Sequence, residues 1–93
     1  MRVNAMRRAG ELIGIPADGD GYVYPSWQFG PDWKPLPIVR RLVARSRSRG
    51  IRDADLVRLL GRRVGLMGDE SLLDLVLAGR EGPVLAAIDS AGA

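Results

Sequence analysis

Four prolines, Pro25, Pro31, Pro35 and Pro37, stand within the stretch YPSWQFGPDWKPLP at residues 24–37. Each removes a backbone donor and fixes its own φ, so no long regular strand can run through this stretch. Yet four of the chain's five aromatic residues, Tyr24, Trp27, Phe29 and Trp33, are placed here. Aromatic and β-branched residues favour strands. With Tyr22 and Val23 just upstream, the two signals together predict a short two-stranded element or extended hairpin at residues 22–36. A sheet so small is marginal alone, and its aromatic face should rest on helices. Tyr24, Trp27 and Phe29 are expected to be that anchor. Trp33, between Asp32 and Lys34, is the aromatic expected to stay partly exposed and is the candidate docking residue.

The remaining segments read as short helices. Val3, Met6, Gly10 and Ile13 recur at steps of three and four, with Leu12 beside them, predicting an amphipathic helix over 3–14 that Pro16 ends. The run PADGDG at 16–21 is a turn cluster whose aspartates serve the turn backbone, since the spacing of a calcium loop is missing. Pro37 suits a first helical turn, Ile38, Val39, Leu42 and Val43 form an apolar stripe, and Gly50 closes the helix. Asp53 is read as the N-cap of the next helix, with Leu56, Val57, Leu59 and Leu60 inward. Gly65 and Gly68 bracket a turn containing Leu66 and Met67. Asp69 or Ser71 can cap a helix through Leu72, Leu73, Leu75, Val76 and Leu77 that Gly79 stops. Glu81 and Pro83 open a last helix in which Val84, Leu85 and Ile88 pack. The expected fold is mostly α: a single domain over 1–93, a compact bundle of four to five short helices with one small β element. No separate DNA-binding domain is expected.

The 93-residue chain has no cysteine and no histidine. That removes thiol nucleophiles, disulfides, the usual zinc ligands and the side chain that most readily moves protons near neutral pH. No phosphate-loop or dinucleotide fingerprint occurs. No catalytic residue, metal site or cofactor is therefore assigned, and the chain is not expected to be an enzyme. No stretch approaches the roughly 18–20 apolar residues of a membrane helix, and MRVNAMRRAG lacks the apolar core of a signal peptide. A cytoplasmic protein without membrane contact is expected.

Positive charge is carried almost wholly by arginine. Nine arginines stand between Arg40 and Arg63 against Asp53 and Asp55, whereas 69–93 is mildly acidic. Two working surfaces are expected from this polarity. Arg40, Arg41, Arg45, Arg58 and Arg62 form a candidate face for an anionic partner, either nucleic acid or an acidic protein surface, although amphipathic helices also need solvated faces. Residues 53–79 also have a helix, turn, helix order. The second helix, ESLLDLVLAG, begins acidic and continues apolar, which suits a structural hairpin better than a helix entering the major groove. The junction Gly79, Arg80, Glu81, Gly82 could bind an anion at a helix N-terminus, but an ordinary turn with Glu81 complementing the helix dipole accounts for it.

The order of parts resembles the toxin-binding domain of antitoxins of the Xre/MbcA/ParS type. Tyr24, Pro25, Trp27, Gln28 and Phe29 match one signature of that family, and Leu66, Gly68, Leu72, Leu75, Gly79, Val84 and Leu85 match the other. The likeness covers about residues 10–90, and its specificity lies in order and spacing together. Glu70 and Ser71 stand where the family commonly has threonine and proline, which changes the cap and preserves the helix. The family implies a protein that neutralises a RES-domain toxin, an enzyme that consumes NAD, by covering its active-site entrance. On that resemblance Arg80, Glu81 and Asp89, Ser90, Ala91, Gly92 and Ala93 are the expected toxin-facing residues. The longer tail by which many relatives plug the toxin has no counterpart here and is carried onto no residue. The cognate toxin is the expected partner, in a hetero-oligomer or with self-association. The alternative is a small arginine-rich DNA-binding regulator.

Overall fold

The computed structural model describes residues 3–19, 21–64 and 69–92. Helix α1 covers only Val3–Arg8, not 3–14. Gly10 is the reason. Its φ of 78° lies in the left-handed region, which glycine enters without the steric cost of a side chain. The Gly10 N–H donates to the Arg7 carbonyl at 3.1 Å and the Glu11 N–H to the Met6 carbonyl at 2.9 Å, the paired bonds of a Schellman cap. Leu12 and Ile13 are fully buried as expected, but from the non-helical segment that follows.

That segment feeds β1 (Ile15–Pro16), which pairs antiparallel with β2 (Tyr22–Val23) in the register Ile15 to Val23 and Pro16 to Tyr22. The β element thus begins before residue 22. Beyond β2, Pro25 caps a 3-10 turn at Ser26–Gln28, and an antiparallel bridge joins Phe29 to Pro35. The stretch 22–36 therefore holds one strand of a hairpin, a 3-10 turn and a one-bridge hairpin. Of the signature residues, Trp27 packs partly buried against the core while Gln28 is fully buried.

Helix α2 (Pro37–Ser48) starts on its proline and buries Ile38, Val39, Leu42, Val43 and Ser46. It ends with the same pair of cap bonds, Gly50 N–H to Arg47 C=O and Ile51 N–H to Ser46 C=O. Helix α3 (Asp53–Leu60) buries Leu56, Leu59 and Leu60. Asp53 is its first helical residue and makes no cap bond. Its carboxylate instead accepts the Gly14 N–H at 3.0 Å, pinning the β1 approach to α3.

Two further strands, β3 (Arg63–Val64) and β4 (Glu70–Ser71), pair antiparallel. The turn expected at Gly65–Gly68 lies outside the described residues. A β-hairpin therefore separates α3 from α4 (Leu72–Leu77), not the three- or four-residue turn of a DNA-reading helix pair. Ser71 and Asp74 form a reciprocal capping box at the start of α4: the Asp74 N–H donates to Ser71 Oγ and the Ser71 N–H to Asp74 Oδ2. Asp69 plays no part in this cap. Leu77, at the end of α4, is 54% exposed.

Helix α5 (Glu81–Ala91) packs against α2 and α4, with Val84 and Ile88 buried. Its direction is read from its ion pairs: Glu81 pairs with Arg41, and further along α5 Asp89 pairs with Arg45 and Arg49. Helices α2 and α5 therefore run side by side in the same sense. The core is the apolar set between them, Val39, Leu42, Val43, Leu56, Leu60, Leu72, Val84 and Ile88 among others, with Ile13 inserted from the N-terminal segment. No helix among the described residues is long and apolar enough to cross a membrane.

Candidate partner-binding surfaces

Helix α5 has 11 residues, about 16 Å of axial length, and the residues expected to face a partner divide between its ends. At its start lie Arg80, Glu81 and the segment that enters α2. Arg80 is the N-cap residue of α5 and is exposed, with no ion pair among the described residues. Glu81 sits in the first turn, where a carboxylate complements the helix dipole, and its Oε2 accepts from Arg41 Nε at 2.9 Å. Arg40 pairs with Glu11. Arg40 and Arg41 also line a groove of about 610 Å³ with Met6, Lys34 and Leu36. Trp33 immediately precedes this groove in the chain and is 65% exposed. Leu77 closes α4 at the same pole, four residues before Glu81.

At the other end of α5, Asp89 lies between two guanidinium groups, 2.6 Å from Arg45 and 3.2 Å from Arg49. The hydrogen bond from Arg45 holds the Asp89 carboxyl below its usual range; partial desolvation opposes the shift, and the charges of Arg45 and Arg49 add to it. Ser90 and Ala91 are exposed. Ala91 and Gly92 line a groove of about 550 Å³ with Arg49, Arg58 and Arg62. Gly92 lies hard against Arg49, and a Cβ there would stand 2.4 Å from the Arg49 Cβ. Ala93 lies outside the described residues.

The basic and acidic surfaces expected from the sequence are thus partly one seam. Arg41 and Arg45 are partners of Glu81 and Asp89, because α2 and α5 pack in parallel with their charged edges in register. Arg58 keeps a 3.5 Å contact with Asp55. Arg62 has no ion pair among the described residues, so uncompensated basic character lies near the end of α5 as well as at Arg80 at its start.

Two features were not anticipated from sequence. Gln28 uses both ends of its amide on one residue: Oε1 accepts the Ile13 N–H at 2.8 Å and Nε2 donates to the Ile13 carbonyl at 2.9 Å. Its place inside the aromatic signature was the only available signal. Arg7 lays its guanidinium 3.8 Å from the centre of the Tyr22 ring, a cation–π contact at the edge of a groove of about 670 Å³ shared with Arg47, Asp53 and Arg58. No group of three or more potential metal-binding side chains occurs among the described residues.

No protein-family model, no curated protein and no solved structure matches the chain. The likeness to the antitoxin family rests on the order and spacing of the residues quoted above.

Proposed function

We propose that this protein is a binding module of the Xre/MbcA/ParS antitoxin type. It neutralises a RES-type, NAD-consuming toxin by covering the entrance to that enzyme's active site, and is not itself an enzyme. The observation that carries this reading is the match between signature and scaffold. Gln28 of the first signature is the buried strut on Ile13. Of the second, Leu72, Leu75 and Val84 are buried in the core and Gly79 has the left-handed φ of 78° at a helix stop. Leu66 and Gly68 lie outside the described residues. A shared sequence pattern that falls on fold-determining positions supports a shared scaffold, and exposed residues such as Trp33 and Arg80 then supply partner specificity.

The DNA-binding alternative draws less support. Arg40, Arg41 and Arg45 are engaged with carboxylates of the same molecule, and a hairpin intervenes between the helices that would read DNA. Co-expression with the neighbouring open reading frame tests the proposal. Growth should be arrested by that reading frame alone and restored when this protein is supplied; growth no better with it than without it would sink the antitoxin role.

A further inference from the structure

Trp33 is the only non-glycine residue with positive φ among the described residues, at 60°. Bulky side chains rarely adopt this conformation. The surrounding hydrogen bonds explain how it arises. The Trp33 N–H donates to the Gly30 carbonyl at 2.9 Å, and the Gly30 N–H donates to the Lys34 carbonyl at 2.8 Å. With Phe29 bridged to Pro35, this is the pattern of a type I turn followed by a G1 bulge. In that turn the third loop residue is left-handed and is ordinarily glycine. Pro31 takes the first central position, where its fixed φ fits. Asp32 Oδ1 accepts the Lys34 N–H at 3.1 Å. The familiar Pro-Asp-Gly turn is therefore written here as Pro-Asp-Trp.

Folding offers little return for that substitution. The indole is 65% exposed, and its aromatic neighbour is Phe29, tilted at 51° with centroids 6.1 Å apart. Strain that the core does not use, held in place by its surroundings, is a feature of ligand clamps. The loop is well fixed: beyond the bridge, the Leu36 N–H donates to the carbonyl of buried Gln28 at 2.8 Å. An aromatic ring held outward on a rigid turn loses little freedom on binding. Around it, Arg40 and Arg41 are paired with Glu11 and Glu81. Lys34, next to Trp33 in the chain, makes no ion pair among the described residues and shares the groove of Arg40 and Arg41. Tryptophan and arginine are the residue types most enriched at the centres of protein interfaces.

We infer that the Trp33 turn is a preorganised docking knob. Its indole seats in an apolar pocket on the partner protein, and that pocket's rim carries a carboxylate that meets Lys34. The identity of the partner as the neutralised enzyme rests on the function proposed above.

The test is the variant Trp33→Gly, which restores the residue this turn ordinarily takes. The full-length chain and the variant are titrated calorimetrically into the purified product of the neighbouring reading frame. The expected result is binding weakened by roughly 30-fold or more, with a thermal midpoint at or above the parent's. A control, Asp18→Asn in the exposed segment between β1 and β2, to which no partner contact is assigned, should bind within about threefold of the parent, the range of a peripheral contact. Trp33→Gly binding as tightly as the parent would overturn the knob and leave the antitoxin role standing. Self-association of the isolated parent that Trp33→Gly abolishes would also overturn it, because the ring would then belong to a second copy. Failure of the parent itself to bind would remove the antitoxin role first and the knob with it.

Discussion

Gln28 holds the segment that follows α1 with two hydrogen bonds. It is fully buried, and both bonds go to the backbone of Ile13. Replacing it by leucine of similar volume would leave an N–H and a carbonyl of Ile13 buried without partners, each costing about 1–3 kcal/mol. Gln28→Leu is therefore expected to lose about 2–4 kcal/mol of stability, read as a lower urea midpoint with an unchanged slope. Asp53 illustrates why such residues are hard to see in sequence. Locally it has the position of an N-cap, but its bond partner, the Gly14 N–H, lies 39 residues away. Trp33 is the contrary case. Its exposure was legible from flanking Asp32 and Lys34; its backbone conformation was not, because the Pro-Asp pair announces a turn whose next residue should be glycine.

At the scale of elements, the starts and stops that depend on neighbouring residues were legible. Pro37 opens α2, Ser71 caps α4, and the glycines at 50 and 79 end helices as left-handed caps. Extent and pairing were less so. The apolar spacing of Leu12 and Ile13 fits a helix, but the cap at Gly10 ends α1 first and delivers both residues to the core from outside it. Likewise β2 pairs backward with β1 rather than forward into the aromatic run. The α2/α5 seam yields a pH prediction. Asp89 has a folded-state carboxyl below the ordinary value of 3.8. Its contribution is therefore fully present above that value and is lost as pH falls through the lower, folded one. Thermal midpoints measured from about pH 6 down to about pH 2 should fall more steeply for the parent than for Asp89→Asn. Parallel curves would show that the Arg45 and Arg49 contacts do not act on folding.

For the whole molecule, the mostly helical architecture follows from short amphipathic segments separated by proline and glycine. The location of a binding surface does not follow so directly. Candidate residues on one helix, such as Glu81 and Asp89, lie toward opposite ends of α5. Residues far apart in sequence, such as Arg41 and Glu81, meet. Charge also changes meaning on folding. A basic α2 and a mildly acidic α5 look like two surfaces in the sequence, and in the fold much of their charge is satisfied across one seam. What remains outward includes the exposed aromatic turn at Trp33 and the arginine-lined groove beside Ala91 and Gly92. The most direct measurement is NAD consumption by the purified product of the neighbouring reading frame as this protein is added in increments. The proposed function predicts that consumption falls to background at a fixed molar ratio; undiminished consumption at a several-fold excess of this protein would contradict it.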